Sequence, residues 1–158
     1  MASFAPEVET EVEKHLTKYP AERIRSAILP LLFIVQRERG YIDTPGAAYV
    51  AHKLGIEIVD VWETATFYSM LNLKPVGRHH IQICKTLSCK IMGEPEITDH
   101  VCSKLGINPG ETTADGKFTV SMVECLGSCG TAPMFQIGFD YHEDLTTAKV
   151  DQILDSLK

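Results

Sequence analysis

The sequence predicts an α+β chain: an all-α helical segment over residues 1–75, then a small α/β domain over residues 76–158. Two observations carry this. Before residue 75, apolar residues recur at steps of three and four, the period of a helix face. After it they alternate in short runs bounded by turn residues, the pattern of strands. The change falls at Pro75-Val76-Gly77, which marks the domain boundary.

In the first segment, Val8, Val12, Leu16 and Tyr19 make one stripe, and Pro20 ends that helix. A second helix is expected over about Ala21–Arg39, with Ile24, Ile28, Leu31, Leu32 and Val35 facing inward. Pro30 lies inside it and should kink or break it, because proline removes a backbone donor. Gly40 is the stop, with Arg37 and Arg39 suited to the dipole end. A third helix fits Pro45–Leu54, stopped by Gly55. A fourth fits Val59–Met70, with Val61, Ala65 and Tyr68 on one face.

In the second segment, His79–Lys85 reads as a strand ending at Cys84, and Glu94–Leu105 as a helix striped by Ile97, Val101 and Leu105. Asn108-Pro109-Gly110 follows as a turn. Phe118–Val123 and Met134–Ile137 read as strands, and Asp140–Asp144 as a turn. Val150, Ile153, Leu154 and Leu157 stripe a final helix capped by Thr146 or Thr147. The order β-α-β-β-α places helices on a small sheet, as in a thioredoxin-like fold. By that analogy Ala132-Pro133, at the entry to a strand, is a candidate cis bond; a trans strand-entry proline is the alternative.

Composition narrows the function. Residues 1–75 carry 8 Lys/Arg and 10 Asp/Glu, and residues 76–158 carry 7 and 11, so neither half presents a basic stripe for phosphates. Nucleic acid is excluded as a partner on that ground. The longest nearly apolar run, Ile28–Val35, is far shorter than the ~20 residues a bilayer requires. The acidic stretch Met1–Glu13 lacks the basic start and apolar stretch of a signal peptide. A cytoplasmic protein without membrane insertion is expected, one still able to dock on a membrane complex. Five cysteines in a reducing compartment argue against a disulfide framework.

The chemistry lies in two cysteine pairs. Cys84 and Cys89 are spaced C-x4-C, Cys125 and Cys129 are spaced C-x3-C, and 35 residues separate the pairs. Each pair follows a predicted strand. If those strands are neighbours, their loops lie side by side and four thiolates converge, as a 2Fe–2S cluster requires. Gly93, Gly127 and Gly130 would let backbone approach an inorganic core, while Thr86, Ser88, Ser128 and Thr131 leave room and expose N–H donors to sulfur. Two alternatives stand beside this. A structural zinc site also takes four cysteines, although its pairs are most often C-x2-C. A dithiol oxidoreductase would normally show C-x-x-C. Cys102, in a predicted helix beside Val101, reads as core packing. His15, His52, His79, His80, His100 and His142 are scattered and read as structural or surface residues. No Ser/His/Asp set, G-x-G-x-x-G or Walker loop is present, so no catalytic residue is assigned.

These residues resemble a known family, the thioredoxin-like 2Fe–2S component of NADH:quinone oxidoreductase, the E-type subunit of the bacterial respiratory complex. Its C-x4-C and C-x3-C pattern falls on Cys84, Cys89, Cys125 and Cys129. The resemblance extends through Gln36–Tyr41, Gly40-Tyr41-Ile42, Ala65-Thr66-Phe67-Tyr68, Pro75-Val76-Gly77, Cys125-Leu126-Gly127-Ser128-Cys129 and Ala132-Pro133. It implies one 2Fe–2S cluster and a one-electron carrier. It also implies a flavoprotein partner that binds FMN and NADH, together with other peripheral-arm subunits on the cytoplasmic side of a membrane-attached complex. NADH dehydrogenase (quinone) activity would then be a property of the assembly. Related subunits of NAD-dependent hydrogenases and formate dehydrogenases share the motif.

Overall fold

The computed structural model describes residues 4–157 and divides into two compact units between Pro75 and Val76. In the first unit, α1 spans Pro6–Leu16 and buries Val8 and Val12, two positions of the expected stripe. The single helix expected over Ala21–Arg39 is two elements. Ala21–Ala27 is a 3-10 turn interrupted by a non-helical Arg23, and α2 spans Ile28–Arg39. Pro30 therefore makes no interior kink. It is the third residue of α2, within the first turn, where backbone N–H groups have no intrahelical acceptor and a missing donor costs nothing. Gly40 closes α2 at φ 83°, a left-handed conformation that favours glycine.

Helix α3 (Thr44–Leu54) begins at Asp43, whose carboxylate accepts the Gly46 amide at 2.8 Å. Helix α4 (Ile58–Phe67) buries Val61 and Ala65. It stops before Tyr68, which is extended and exposed rather than on the helical face expected of it. Leu31, Leu32, Val35, Ile42, Val50 and Val61 are fully excluded from solvent and form the core of this unit. Gln36 fastens the chain after α4 to α2. Its amide nitrogen donates to the Met70 carbonyl at 3.0 Å, and its oxygen accepts the Asn72 amide at 2.6 Å.

The second unit is a four-stranded sheet in the order β2-β1-β3-β4. Strand β1 (His79–Cys84) pairs in parallel with β2 (Phe118–Val123) from His79↔Phe118 to Cys84↔Val123. On its other side β1 pairs antiparallel with β3 (Phe135–Ile137). Asp140–His142, expected to be turn, is instead strand β4, antiparallel to β3 through a two-residue Gly138-Phe139 loop. Helices α5 (Leu87–Ile91) and α6 (Glu94–Leu105) lie between β1 and β2, and α7 (Thr147–Ser156) follows β4. Ile81, Ile83, Val120 and Phe135 from the sheet pack with Ile97, Val101, Val150 and Leu154 from α6 and α7. Thr146 caps α7, accepting the Lys149 amide at 3.2 Å. No helix of the described residues is long and apolar enough to cross a membrane.

Candidate metal centre

Cys84 ends β1, and its backbone is fixed from both sides. Its amide donates to the Met134 carbonyl at 3.3 Å, and the next amide, of Lys85, donates to Val123 at 3.0 Å. Because β1 and β2 run parallel, the chain leaves both strands at the same end of the sheet. The loop carrying Cys89 and the loop carrying Cys125 and Cys129 therefore start side by side. The Cys84 sulfur is 3.2 Å from the Thr86 hydroxyl and 3.8 Å from the carbonyl oxygen of Glu124, the residue before Cys125.

Cys89 lies in α5 rather than on the open loop the sequence suggested. Cys84 and Cys89 are 3% and 1% exposed, and with Ala132 and Met134 they form a small apolar cluster against which Leu126 packs. Their acidities diverge. Burial pushes the Cys89 thiol up, reinforced by the hydrogen bond and charge of Cys84 and by the charge of Cys129. Burial opposes ionisation of Cys84 as well. Hydrogen bonds from the Thr86 hydroxyl, from the backbone at Thr86 and Leu126, and from Cys89 outweigh it and bring that thiol below its ordinary range.

Cys125 and Cys129 are exposed, and Cys129 opens a short 3-10 turn, Cys129–Thr131. Among the described residues, no three His, Cys, Asp or Glu side chains already stand at metal-binding distances. The structure places Cys84 beside the backbone of Glu124, the residue before Cys125, so the two cysteine-bearing segments adjoin at this end of the sheet. The donor set fits an iron–sulfur cluster: four free thiols, one pair at the end of β1 and in α5, the other on the loop after the neighbouring strand β2. There is also room. A Cβ at Gly127 or Gly130 would meet no atom within 4 Å, so space is open beside the second loop. Gly127 further needs its φ of 80° to turn that loop.

Cys102 belongs elsewhere. It is half-buried in α6 against the sheet core, where burial, followed by the charges of Asp99 and Glu111, holds its thiol above the ordinary range. Three histidines are engaged in structural contacts: His80 with Ser121 at 2.7 Å, His100 with Asp151 at 3.0 Å, and His142 against the Phe135 ring.

Sequence reasoning missed the segment that straps the second loop down. The Tyr141 hydroxyl donates to the Leu126 carbonyl at 2.5 Å. Both the Ser128 hydroxyl and the Thr131 hydroxyl, the latter at 2.6 Å, donate to one oxygen of Glu143. The amides of Asp144 and Leu145 donate to Thr131 and Pro133 at 2.8 and 3.0 Å. The Ala132–Pro133 bond within this stretch is cis. The available signal was Gly138-Phe139, a two-residue loop with glycine first, which predicts a hairpin and hence β4.

A small mixed sheet that sends two cysteine pairs out of one end has the donor set of a thiolate metal-centre protein. Residues 12–158 match the family described as thioredoxin-like [2Fe-2S] ferredoxin. The chain belongs to that family, and one 2Fe–2S cluster is its cofactor. It is 45% identical over 148 residues to the second E-type subunit of NADH-quinone oxidoreductase from Rhizobium meliloti, covering 94% of this chain and 87% of the relative. It is 47% identical over 147 residues to the E-type subunit of NADH-quinone oxidoreductase from Rickettsia bellii, covering 92% and 88%. Among solved structures, an NAD+-reducing [NiFe]-hydrogenase in the air-oxidized state shares the fold with a TM-score of 0.70 at 24% identity. That match covers 80% of this chain and 22% of the hydrogenase polypeptide.

Proposed function

We propose that this chain is a one-electron carrier subunit of an NADH:quinone oxidoreductase and that Cys84, Cys89, Cys125 and Cys129 hold its cluster, two thiolates to each iron. The observation that carries the reading is the parallel β1–β2 pairing, which sends both cysteine-bearing loops out of the same end of the sheet. The cluster, when bound, stores and passes on a single electron. The chain's own part is to hold it and tune it. The hydrogen bonds that Thr86 and Leu126 direct to Cys84 favour the thiolate a metal ligand must be, and such donors to sulfur also set the reduction potential. No side chain acts as acid, base or nucleophile, and catalysis belongs to the assembly.

In this reading residues 76–158 are the cluster domain, and part of the helical region Pro6–Met70 docks a flavoprotein partner that binds FMN and NADH. The assembly is the peripheral arm of a membrane-attached complex, on its cytoplasmic side. The names of the relatives support a place in a quinone-reducing complex. The hydrogenase match keeps a second reading open, the equivalent subunit of an NAD-dependent hydrogenase or formate dehydrogenase.

The test is the purified chain. Red-brown protein with about two irons and two acid-labile sulfides per chain, losing its visible spectrum on alanine substitution at any of the four cysteines, supports the assignment. Colourless protein with one zinc, or metal-free protein with a reactive thiol, would overturn it.

A further inference from the structure

The structure assigns Glu143 as the positioning residue that holds the Cys125–Cys129 loop in its cluster-binding arrangement, through the hydroxyls that bracket Cys129. This rests on the ligand reading above.

Ser128 and Thr131 lie on either side of Cys129 and Gly130. Their hydroxyls are 2.8 Å apart, and both donate to the same carboxylate oxygen of Glu143. Thr131 also reaches the Ser128 carbonyl at 3.3 Å. The 3-10 turn that begins at Cys129 is thus closed on itself and bolted, by one acceptor, to the chain leaving β4. Glu143 is in turn fixed, because its backbone carbonyl accepts the Lys149 ammonium at 2.6 Å and Tyr141, two residues earlier, holds Leu126. The hydrogen bonds from Ser128 and Thr131 also hold the Glu143 carboxyl below its ordinary range, so it stays an anion and a strong acceptor. Neither hydroxyl needs this partner for burial, since both residues are only half-buried. What the arrangement secures is the direction of the Cys129 backbone in an exposed loop that has no ladder of its own.

The experiment uses the intact cluster-loaded chain and four variants: Glu143→Ala, Glu143→Gln, Ser128→Ala/Thr131→Val, and the three substitutions together. Two quantities are read: the rate at which excess EDTA bleaches the visible spectrum, and the electron paramagnetic resonance spectrum of the dithionite-reduced cluster. Glu143→Ala should bleach about 10–100-fold faster, by analogy with the loss of metal affinity when a group that orients a ligand is removed, and should show shifted g-values. Glu143→Gln keeps an oxygen acceptor and should recover most of the lifetime. Ser128→Ala/Thr131→Val should match Glu143→Ala, and the triple variant should be no worse. Wild-type bleaching and g-values in either Glu143→Ala or the double variant would overturn the assignment, as would additive losses in the triple variant. If Glu143→Ala does not fold, the double variant, which leaves Glu143 in place, decides alone. A wild-type chain that binds no cluster, or a Cys129→Ala chain that keeps it, defeats the ligand reading and this inference with it. A normal cluster unaffected by these variants defeats this inference alone.

Discussion

Replacing Gly77 by alanine tests the strand pairing on which the proposed cluster site depends. The added Cβ would lie 2.8 Å from the carbonyl carbon of Phe118, 2.9 Å from its amide nitrogen and 3.0 Å from the carbonyl carbon of Lys117. All three are backbone atoms at the start of β2, so no rotamer change relieves the contact, and the two chains must part. Gly77 sits at a φ open to other residues, so the penalty is contact alone. Parting them strains three hydrogen bonds: Gly77 N–H to the Thr119 hydroxyl at 2.6 Å, Arg78 to Gly116 at 3.1 Å and His79 to Lys117 at 2.8 Å. Overpacking costs ~1–3 kcal/mol. A buried donor such as the Gly77 amide, left unsatisfied, costs ~1–3 kcal/mol more. A total of roughly 2–6 kcal/mol lowers the melting temperature by about 4–24 °C in a chain of this size. Thermal unfolding followed by far-ultraviolet circular dichroism measures it. A melting temperature within about 2 °C of wild type would show that the β1–β2 entry yields freely and refute the argument.

Three further outcomes follow from the same packing. Cys102→Ala should leave the visible spectrum unchanged and cost about 1 kcal/mol in urea unfolding; a bleached spectrum would place Cys102 at the cluster. Asp43→Ala removes the cap of α3 and should cost about 1 kcal/mol at pH 7. The hydrogen bond from Arg39 holds the Asp43 carboxyl below its ordinary range. Its contribution is therefore complete above pH ~4 and disappears as pH falls through the depressed folded value, where mutant and wild type should converge. Burial keeps the His80 imidazole below its ordinary range. The unfolded chain then binds the extra proton first, so stability is complete above pH ~6.5 and falls as pH drops below that toward the depressed folded value. His80→Gln should flatten that fall in urea midpoints, leaving the share of His142, which burial also depresses.

The elements most legible in the sequence were those long enough for periodicity to speak. Val8 and Val12, Ile97 and Val101, and Val150 and Leu154 are buried in helices where their spacing put them. Helix α5 was missed because five residues hold little more than one turn, and Leu87 and Ile91 are exposed, so no buried stripe exists to detect. Asp-Tyr-His carries no strand alternation in three residues; β4 exists because β3 offers it a ladder, a tertiary cause that the segment itself does not encode. The break before Ile28 was read two residues late, at Pro30, because proline's effect depends on how far inside the helix it falls. At the site, the spacing of the cysteines identified the pairs, and strand order placed their loops together. Glu143 was invisible because its partners lie 12 and 15 residues away, at no helix or strand period.

The position of β1 in the sheet also orders events in time. It is an interior strand with β2 on one side and β3 on the other, and both partners are encoded after it. A ribosome adding about 5–20 residues per second delivers Cys84 and Cys89 well before the far side of their sheet exists. With 35 residues between Cys89 and Cys125, the interval is about 2–7 s. The contacts of the helical unit close earlier, within chain already synthesised, whereas the pairing of His79 with Phe118 must span a long loop and is intrinsically slow. The first two thiols therefore begin life as an unpaired dithiol on a nascent chain, and iron delivered in that window would meet half of the proposed ligand set.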